Sequence, residues 1–485
     1  MLRVYNTLTR EKEEFVPLTE RKVGMYVCGL TVQNYSHLGH IRSAINYDVI
    51  RRYLEYKGYE VVYVQNFTDI NEKIVNRARE EGLTPEELAD KYTKAYLEDI
   101  ESLNIRPANY YVKATDYIDS IISIIKKIVN NGFAYQVNGN VYFSVENFKD
   151  YGKLSNRSLD DMQAGARIDV NEEKRNPMDF ALWKKAPVGE KDWDSPWGRG
   201  WPGWHIECSA MSMEILGERF DIHGGGSDLI FPHHENEIAQ SEACTGKKPF
   251  AKYWLHNGPV NLKGEKMSKS LGNFFTTREL LKKFSPEDIR YFLLTKSYRT
   301  PIDFTLEEVT NAGVSFQRLI NTSRSMIQLI NSDIDRIGSR DTGYEHITNN
   351  FAERRKEFED AMDDDFNTAR AIGVLHELAR DINTFINDSD FILSEKTKII
   401  LEKGFKLLQD LTDVLGLGIQ NKNVTNNDKI VDNLMDLILQ IREDARENKN
   451  WELADRIRDG LQEQGFIIRD TPQGTVWEKE SENNG

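Results

Sequence analysis

Short apolar runs alternate with one segment of helical spacing in the first hundred residues. Two runs, GMYVCGL (24–30) and YEVVYVQNFT (59–68), are rich in valine and tyrosine, which predicts two strands. Between them, SAINYDVIRRYLEYKGY (43–59) has apolar residues at helical spacing and ends at Gly58, which predicts a helix. A strand, a helix and a strand at this spacing form a βαβ unit, so we expect an α/β domain with a parallel sheet.

Residues 115–200 depart from this pattern and are predicted to be an insertion in the α/β core. The stretch GFAYQVNGNVYFSV predicts a hairpin with its turn at Asn138–Gly139. KAPVGEKDWDSPWGRGWPGW (185–204) is dense in proline, glycine and tryptophan, which predicts a loop. The sheet is expected to resume through FDIHGGGSDLIF (220–231) and KYWLHNGPVNL (252–262).

Helical patterns dominate the second half of the chain. FNTARAIGVLHELARDINTFI is amphipathic and TKIILEKGFKLLQDLTDVLG follows it, which predicts a helical bundle. The asparagine-rich stretch GIQNKNVTNNDK (418–429) is predicted to be a linker, and a helix with two short strands ends the chain. We therefore expect three domains: a Rossmann-like α/β domain at 1–310, with the insertion at about 115–200 and a loop region at about 255–310, a helical domain at 311–420, and a small mixed α/β domain at 421–485.

Composition narrows the function classes only in part. The chain has no run of about 18 apolar residues, and its first residues lack an apolar signal core, so we expect no membrane segment and a cytoplasmic location. Three cysteines argue against a disulfide framework, and we expect Cys244 to be a buried thiol. The net charge of −15 argues against nucleic-acid binding unless the surface has a local basic region.

The helix predicted in FPHHENEIAQSEACTG carries an imidazole and a carboxylate on one face. His233 and Glu237 are four residues apart, directly after a proline that suits a first helical turn. Such a pair is half of a metal site, although a polar helix face near a surface has the same pattern. His234 is the alternative imidazole, but on a helix it points about 100° away.

Two cysteines strengthen the metal interpretation. Cys208 lies in GWHIECSAM, and Cys28 lies at the end of the first predicted strand. With His233 and Glu237 they form a set of two thiolates, an imidazole and a carboxylate, and thiolate and imidazole ligands select zinc. The ligands come from three distant segments, unlike those of a zinc finger. We therefore favour a functional metal site at a sheet edge over a structural metal site that only stabilises the fold.

The string HLGH lies where the first predicted strand meets the first predicted helix. Ligands of open α/β sheets bind at such carboxyl ends of strands. Gly39 lets a phosphate-bearing ligand approach the backbone, and His37 and His40 can donate hydrogen bonds to phosphate oxygens. Two histidines whose hydrogen bonds are satisfied within the fold are the alternative.

A polar loop rich in lysine is predicted at KGEKMSKSLGN (263–273). Lys266 and Lys269, which flank Ser268, can neutralise a triphosphate and its pyrophosphate leaving group. In isolation, a charged surface loop would be the better interpretation. About 230 residues after HLGH on an α/β chain, phosphate binding is favoured.

These motifs together resemble a known family. HLGH and KMSKS resemble the two signature sequences of class I aminoacyl-tRNA synthetases. YVCGLTV, NFTDINEKI, GWHIECSAM, GGGSDLIFPHHENEIAQSEA and EKMSKSLGNF resemble the cysteinyl-tRNA synthetase family. MDDDFNTARAIGVLHELA and ELADRIRDGLQEQGFIIRDTPQGTVW resemble that family's helical anticodon-binding domain and C-terminal tail. The resemblance covers nearly the whole chain.

The resemblance implies a cysteine–tRNA ligase that acts as a monomer. Such an enzyme activates L-cysteine with ATP to cysteinyl-adenylate and transfers the cysteinyl group to tRNA(Cys), with Mg²⁺ accompanying ATP. It implies one Zn²⁺ that binds the substrate thiolate directly. The residues it implies are Cys28, Cys208, His233 and Glu237 for zinc, Gly29, Thr68, Trp204 and Asp228 around the amino acid, and His37, Gly39, His40, Lys266, Ser268 and Lys269 for ATP.

Substrate selection gives a physical reason for the metal. A pocket without metal separates cysteine from serine or alanine by only about 1–3 kcal/mol. A soft thiolate on zinc, compared with a hard hydroxyl, can supply the rest. Two other functions stay open: a ligase that passes cysteine to an amino sugar, and a non-catalytic relative that binds tRNA or senses cysteine. The helical domain and tail argue against the first, and the intact motifs argue against the second.

Overall fold

The chain divides into two compact units in a computed structural model. The first unit comprises Met1–Leu306 and Ala361–Thr368, and the second comprises the remaining residues from Glu307 onward. The structure describes residues 1–159, 173–186, 190–262, 265–266, 275–334, 344–419, 426–471 and 474–479. Within these residues, no helix combines the length and the apolar character that a membrane span requires.

A five-stranded parallel sheet forms the core of the first unit. After a small hairpin of β1 (Arg3–Asn6) and β2 (Glu11–Glu14), the chain enters the sheet, whose order is β11-β10-β3-β4-β5. Its strands are β3 (Lys22–Thr31), β4 (Glu60–Thr68), β5 (Tyr110–Lys113), β10 (Phe220–Gly226) and β11 (Ala251–Asn257). The predicted parallel α/β sheet is therefore confirmed, with β3 at its centre.

Three helices connect the first strands of this sheet. They are α1 (Leu38–Tyr56), α2 (Glu72–Glu81) and α3 (Pro85–Ser102). The first begins five residues earlier than predicted, because His37 caps its N-terminus and Leu38–His40 form its first turn. The end agrees with the prediction, since Gly58 follows the helix at φ +87°, a left-handed conformation that glycine adopts readily.

The insertion between β5 and β10 is a small α/β unit. It contains α4 (Ile118–Asn130) and a four-stranded antiparallel sheet, followed by α5 (Trp204–Leu216), which leads back into the main sheet. The strands of that sheet are β6 (Ala134–Val137), β7 (Asn140–Phe143), β8 (Phe180–Lys185) and β9 (Gly200–Pro202). The hairpin prediction is confirmed, because Asn138 and Gly139 both have positive φ between β6 and β7.

Two local predictions in the first unit were wrong. The predicted loop 185–204 contains β9, which forms because Gly200–Pro202 pair with Trp183–Lys185 of β8. The second part of KYWLHNGPVNL also leaves the main sheet. Its residues Val260–Leu262 form β12, which pairs with β13 (Glu265–Lys266) and β14 (Ile302–Phe304) in a separate sheet. Both β9 and β12 have only three residues, which are too few to show an alternating apolar pattern.

The remaining helices of the first unit flank these strands. They are α6 (Glu235–Thr245), α7 (Thr277–Leu281) and α8 (Pro286–Leu294). A turn of π-helix at Ile230–His234 precedes α6, so His233 lies before the regular helix rather than inside it.

The second unit is mainly helical, as predicted. The helices that contribute to it are α9 (Leu306–Asn331), α10 (Glu345–Asp363), α11 (Thr368–Ile386), α12 (Glu395–Val414), α13 (Asn426–Glu447) and α14 (Trp451–Glu463). The hairpin of β15 (Phe466–Thr471) and β16 (Gly474–Lys479) confirms the predicted terminal strands. The linker prediction was wrong at its end, because α13 starts at Asn426. Asparagine is common at helix starts as well as in loops, so the asparagine-rich stretch did not reveal where this helix begins.

Candidate active site and metal centre

Four buried side chains of the metal prediction meet at one point in the first unit. Cys28 comes from β3, Cys208 from α5, His233 from the π-turn and Glu237 from α6, and their ligand atoms all lie within 4.8 Å of one another. The Cys28 and Cys208 Sγ atoms are 3.9 Å apart, and Cys28 Sγ is 3.6 Å from Glu237 Oε1. His233 Nε2 is 3.0 Å from the same Oε1.

These separations fit a tetrahedral metal site. With metal–sulfur distances of about 2.3 Å and metal–oxygen or metal–nitrogen distances of about 2.0 Å, two sulfurs lie about 3.8 Å apart, a sulfur and an oxygen about 3.5 Å, and a nitrogen and an oxygen about 3.3 Å. The observed spacings of 3.9, 3.6 and 3.0 Å match within a few tenths of an ångström. The cluster therefore fits a metal ion by distance as well as by ligand type.

Burial and neighbouring charges set the protonation of this cluster. Burial alone would raise the pKa of Glu237, but His223 and His233 lower it to about 2. The pKa of Cys208 is lowered to about 6, chiefly by the hydrogen bond from the Cys28 thiol, whereas burial raises the pKa of Cys28. A carboxylate and a thiolate are thus favoured together in a buried place, which is an electrostatic environment that a cation stabilises.

Three further histidines, His223, His234 and His256, lie next to the cluster. His223 Nε2 lies 2.8 Å from Glu237 Oε2, the oxygen opposite the one that faces His233. His234 Nε2 lies 3.3 Å from Cys28 Sγ, and its Nδ1 lies 2.8 Å from His256 Nε2. Cys28, His223, His234 and Glu237 therefore form a second possible ligand set. Both sets contain Cys28 and Glu237, so the two sets cannot hold two separate ions at the same time.

Sequence reasoning named His234 only as an alternative ligand and missed His223 and His256. A signal was available, because each of these two residues interrupts an apolar strand pattern, in FDIHGGG and in YWLHN. Both are buried, with 0% and 5% of their surface exposed. Buried histidines need hydrogen-bond partners, and two of them on neighbouring parallel strands at one sheet edge indicate a polar site.

The structure places the predicted substrate residues Thr68, Trp204 and Asp228 in different surroundings. Thr68 is buried, and its hydroxyl donates to Glu207 Oε2 at 3.3 Å. The Trp204 ring stacks on His233, with centroids 4.1 Å apart, and remains 42% exposed. Trp204 and Glu207 also line a cavity of about 220 Å³ between the sheet and the insertion. Asp228 lies in a turn after β10 with an exposed side chain, and it does not line this cavity.

Gly29 is required by the backbone of the neighbouring strand. Its N–H donates to Asn66 Oδ1 at 2.9 Å, and a Cβ at this position would lie only 1.8 Å from the Asn66 carbonyl oxygen. Only glycine lets β3 and β4 approach this closely beside Cys28. Gly29 therefore shapes the floor of the site through its lack of a side chain.

The histidines of HLGH form the N-terminal cap of α1. His37 Nδ1 accepts a hydrogen bond from Gly39 N at 3.1 Å, and His40 Nδ1 accepts one from His37 N at 3.3 Å. The two rings stack with centroids 3.7 Å apart. With both Nδ1 atoms acting as acceptors, each neutral imidazole carries its proton on Nε2. Both side chains are thus set as donors at the start of α1.

The lysine loop is described only at its margin. Glu265 and Lys266 form β13, and Lys266 pairs with Asn261 of β12. Ser268 and Lys269 lie outside the described residues.

Comparisons with known proteins decide the family. A family model for the tRNA synthetases class I (C) catalytic domain matches residues 14–314, a DALR domain model matches 357–420, and a cysteinyl-tRNA ligase anticodon binding domain model matches 435–477. The chain belongs to the cysteinyl-tRNA synthetase family. The cysteine–tRNA ligase of Heliobacterium modesticaldum is 53% identical over 99% of each chain. That of Pelotomaculum thermopropionicum is 49% identical over 99% of this chain and 100% of its own.

Solved structures show the same fold at low sequence identity. Methionyl-tRNA synthetase from Mycobacterium tuberculosis, in complex with methionyl-adenylate, matches 81% of this chain and 90% of its own, with a TM-score of 0.59 and 15% identity. A putative arginyl-tRNA synthetase from Campylobacter jejuni matches 82% of this chain and 94% of its own, with a TM-score of 0.54. The class I α/β fold of this family member is therefore shared with synthetases for other amino acids.

Proposed function

We propose that the protein activates L-cysteine with ATP to cysteinyl-adenylate and transfers the cysteinyl group to the terminal ribose of tRNA(Cys). Membership of the cysteinyl-tRNA synthetase family supports both steps. The observation that carries the proposal is the buried set of Cys28, Cys208, His233 and Glu237, in which Cys28 lies near the carboxyl end of β3, the strand that precedes the HLGH cap of α1. Ligands of open parallel sheets bind at such an edge.

Cys28, Cys208, His233 and Glu237 would hold one Zn²⁺, since two thiolates with an imidazole and a carboxylate suit this ion. When bound, it supplies a soft Lewis acid that prefers a thiolate over a hydroxyl. The chain's own contribution is to bury the site and to hold the second oxygen of Glu237 through His223. We assign Gly29, Thr68, Trp204 and Asp228 to the amino acid that binds beside it.

His37 and His40 would donate from Nε2 to phosphate oxygens of ATP, because the cap of α1 occupies both Nδ1 atoms. Gly39 would let those phosphates approach the backbone. Lys266, Ser268 and Lys269 would neutralise the triphosphate and the departing pyrophosphate together with Mg²⁺. In this scheme the cysteine carboxylate attacks the α-phosphate, and no protein side chain becomes covalently attached. Catalysis consists of positioning and of charge stabilisation.

The family models over 357–420 and 435–477 support tRNA as the partner of the second unit. The four proposed zinc ligands form a full set within one chain, so a monomer suffices for metal binding, and a monomer is the state that we propose. Three free cysteines are compatible with the reducing cytoplasm, where we place the enzyme.

Charging of unfractionated tRNA with labelled cysteine tests the proposal, with serine and alanine run in parallel, before and after a zinc chelator. We expect charging by cysteine alone, lost after chelation and restored by Zn²⁺. Cysteine-dependent pyrophosphate exchange without any product on tRNA would instead support a ligase for a small acceptor. No turnover with any amino acid, together with retained tRNA binding, would support a non-catalytic relative.

A further inference from the structure

A buried carboxylate outside the metal cluster connects three separate segments of the first unit. Asp99, near the end of α3, has 3% of its side chain exposed, and burial raises its pKa. Its Oδ2 accepts a hydrogen bond from Ser36 Oγ at 2.6 Å, and its Oδ1 accepts one from Arg278 Nε at 3.0 Å. A carboxylate at such depth is tolerated because both oxygens have donors, one of them charged.

The two partners of Asp99 lie next to the two signature motifs. Ser36 directly precedes His37, the cap of α1. Arg278 lies in α7, the first described helix after the lysine loop. The two segments also contact each other, since the Thr277 amide donates to the Ser36 carbonyl at 3.0 Å and their hydroxyls are 2.6 Å apart. An isolated bridge joins His37 to Thr276.

The residues just before the lysine loop are hydrogen-bonded to α1. Arg42, one turn after His37, is fully buried, and its Nη1 donates to the carbonyls of Gly258 and Pro259 at 2.8 and 2.6 Å. These residues directly precede β12, which leads into residues 263–274. The residues that flank the segment carrying Lys269 are therefore bonded either to Arg42 of α1 or to Ser36 and His37, which directly precede α1.

We propose that Asp99 is a positioning residue for the ATP step. Through Ser36 and Arg278 it fixes the spacing between the HLGH cap and the base of the lysine loop, so that the imidazole and ammonium groups reach one triphosphate. This inference rests on the proposed function, which assigns those groups to ATP. The loss of rate expected on replacing Asp99 follows from geometry, because a misplacement of about 1 Å can slow a reaction about 100-fold.

The neighbouring residue provides a matched control. Glu98 also accepts from Arg278, through Nη2 at 2.7 Å, but 52% of its side chain is exposed, and among the described residues no hydrogen bond joins it to Ser36 or Thr277. Asp99→Asn and Glu98→Gln each remove one negative charge beside the same guanidinium. Only the first disturbs the buried junction, so the pair separates positioning from a general loss of charge.

Cysteine-dependent pyrophosphate exchange tests the assignment, with zinc content, thermal unfolding and deuterium exchange of residues 275–282 measured on the same samples. For Asp99→Asn we expect kcat to fall about 10- to 100-fold and the KM for ATP to rise, with the KM for cysteine and the zinc content within about twofold of wild type. Residues 275–282 should exchange faster. Glu98→Gln should match wild type throughout, and Arg278→Gln should resemble Asp99→Asn.

Wild-type kinetics and wild-type deuterium exchange in Asp99→Asn would overturn the proposal. Parallel losses in zinc content and cysteine binding would also overturn it, since they would indicate a general structural role. Failure of the proposed function is recognised separately, as a wild-type protein without cysteine-dependent exchange. In that case equilibrium dialysis with MgATP decides: weaker binding by Asp99→Asn than by Glu98→Gln supports the positioning role, and equal binding refutes it.

Discussion

His223 Nε2 lies 2.8 Å from Oε2 of Glu237, on the carboxylate oxygen that faces away from His233 and Cys28. Both residues are fully buried. This contact fixes the orientation of the carboxylate, so that Oε1 remains directed at the cluster. Hydrogen bonds of this kind set the position of a ligand before a metal arrives.

Replacing His223 should therefore weaken metal binding without removing a proposed ligand. We expect His223→Asn to lower zinc affinity by about 10- to 100-fold, because Glu237 loses the partner of its second oxygen. Competition with a chromophoric chelator measures the change. His376→Asn, in α11 of the second unit, provides the control and should keep wild-type affinity. If zinc instead binds the second ligand set, His223→Asn should lose the metal altogether.

Cys208→Ser should abolish zinc binding and cysteine activation together, since a hydroxyl replaces one of two thiolates in a site that fits four ligands. Metal analysis and cysteine-dependent pyrophosphate exchange on one preparation measure both effects. Cys244→Ala is the matched control, because Cys244 is buried in an apolar cluster of the insertion and α6. Full exchange activity in a metal-free Cys208→Ser protein would contradict the zinc proposal.

Lys269→Ala should slow adenylate formation and leave the zinc content unchanged. The lysine is assigned to the triphosphate, whereas the proposed metal ligands lie in β3, α5, α6 and the turn of π-helix before α6. We expect a loss of about 100-fold or more in kcat for exchange, typical of removing one charge that stabilises a transition state. Pre-steady-state pyrophosphate release measures it. Loss of metal from this variant would show that the lysine segment has a structural role that we do not assign.

His256 should make stability fall as the pH decreases. Burial lowers its pKa to about 3, and its two nitrogens contact Thr7 Oγ1 and His234 Nδ1 at 2.8 Å. The unfolded chain, with a histidine pKa of about 6.5, takes up the proton first, so protonation favours unfolding. Between pH 7 and pH 5 this linkage costs about 2 kcal/mol.

Urea unfolding of wild type and His256→Gln at both pH values checks this sign and size. The amide can still contact Thr7 and His234 but does not titrate, so the variant should lose about 2 kcal/mol less than wild type on acidification. Equal pH dependence in the two proteins would mean that His256 gains a proton in the folded state as easily as in the unfolded chain.

Local patterns predicted the parts of the fold that depend on neighbouring residues. Apolar periodicity and the Asn138–Gly139 pair predicted the βαβ start and the hairpin, because each is built from elements that follow one another directly in the chain. The pattern did not reveal β9 or the separate sheet of β12. Both strands have only three residues, which is too short for an alternating apolar pattern, and β12 also depends on pairing with the distant β14.

The candidate site followed a similar division. Ligand chemistry named Cys28, Cys208, His233 and Glu237, which the structure brings together. The support from His223 and His256 was not predicted, although each histidine interrupts an apolar strand and so provides a signal in the sequence. The junction at Asp99 was also missed, because nothing in the sequence of α3 shows that its carboxylate meets Ser36 and Arg278.

The course of the chain through the first unit determines when the metal cluster can form during synthesis. Cys28 lies 180 positions before Cys208 and 209 positions before Glu237, and it contacts both. A growing polypeptide therefore has one of the four side chains for most of the time needed to make the unit, and acquires the last three within about 30 residues. Because non-local contacts form late, capture of the proposed ion would coincide with completion of the sheet rather than with its nucleation. Metal uptake by ribosome-bound chains would thus show when this domain completes its fold during synthesis.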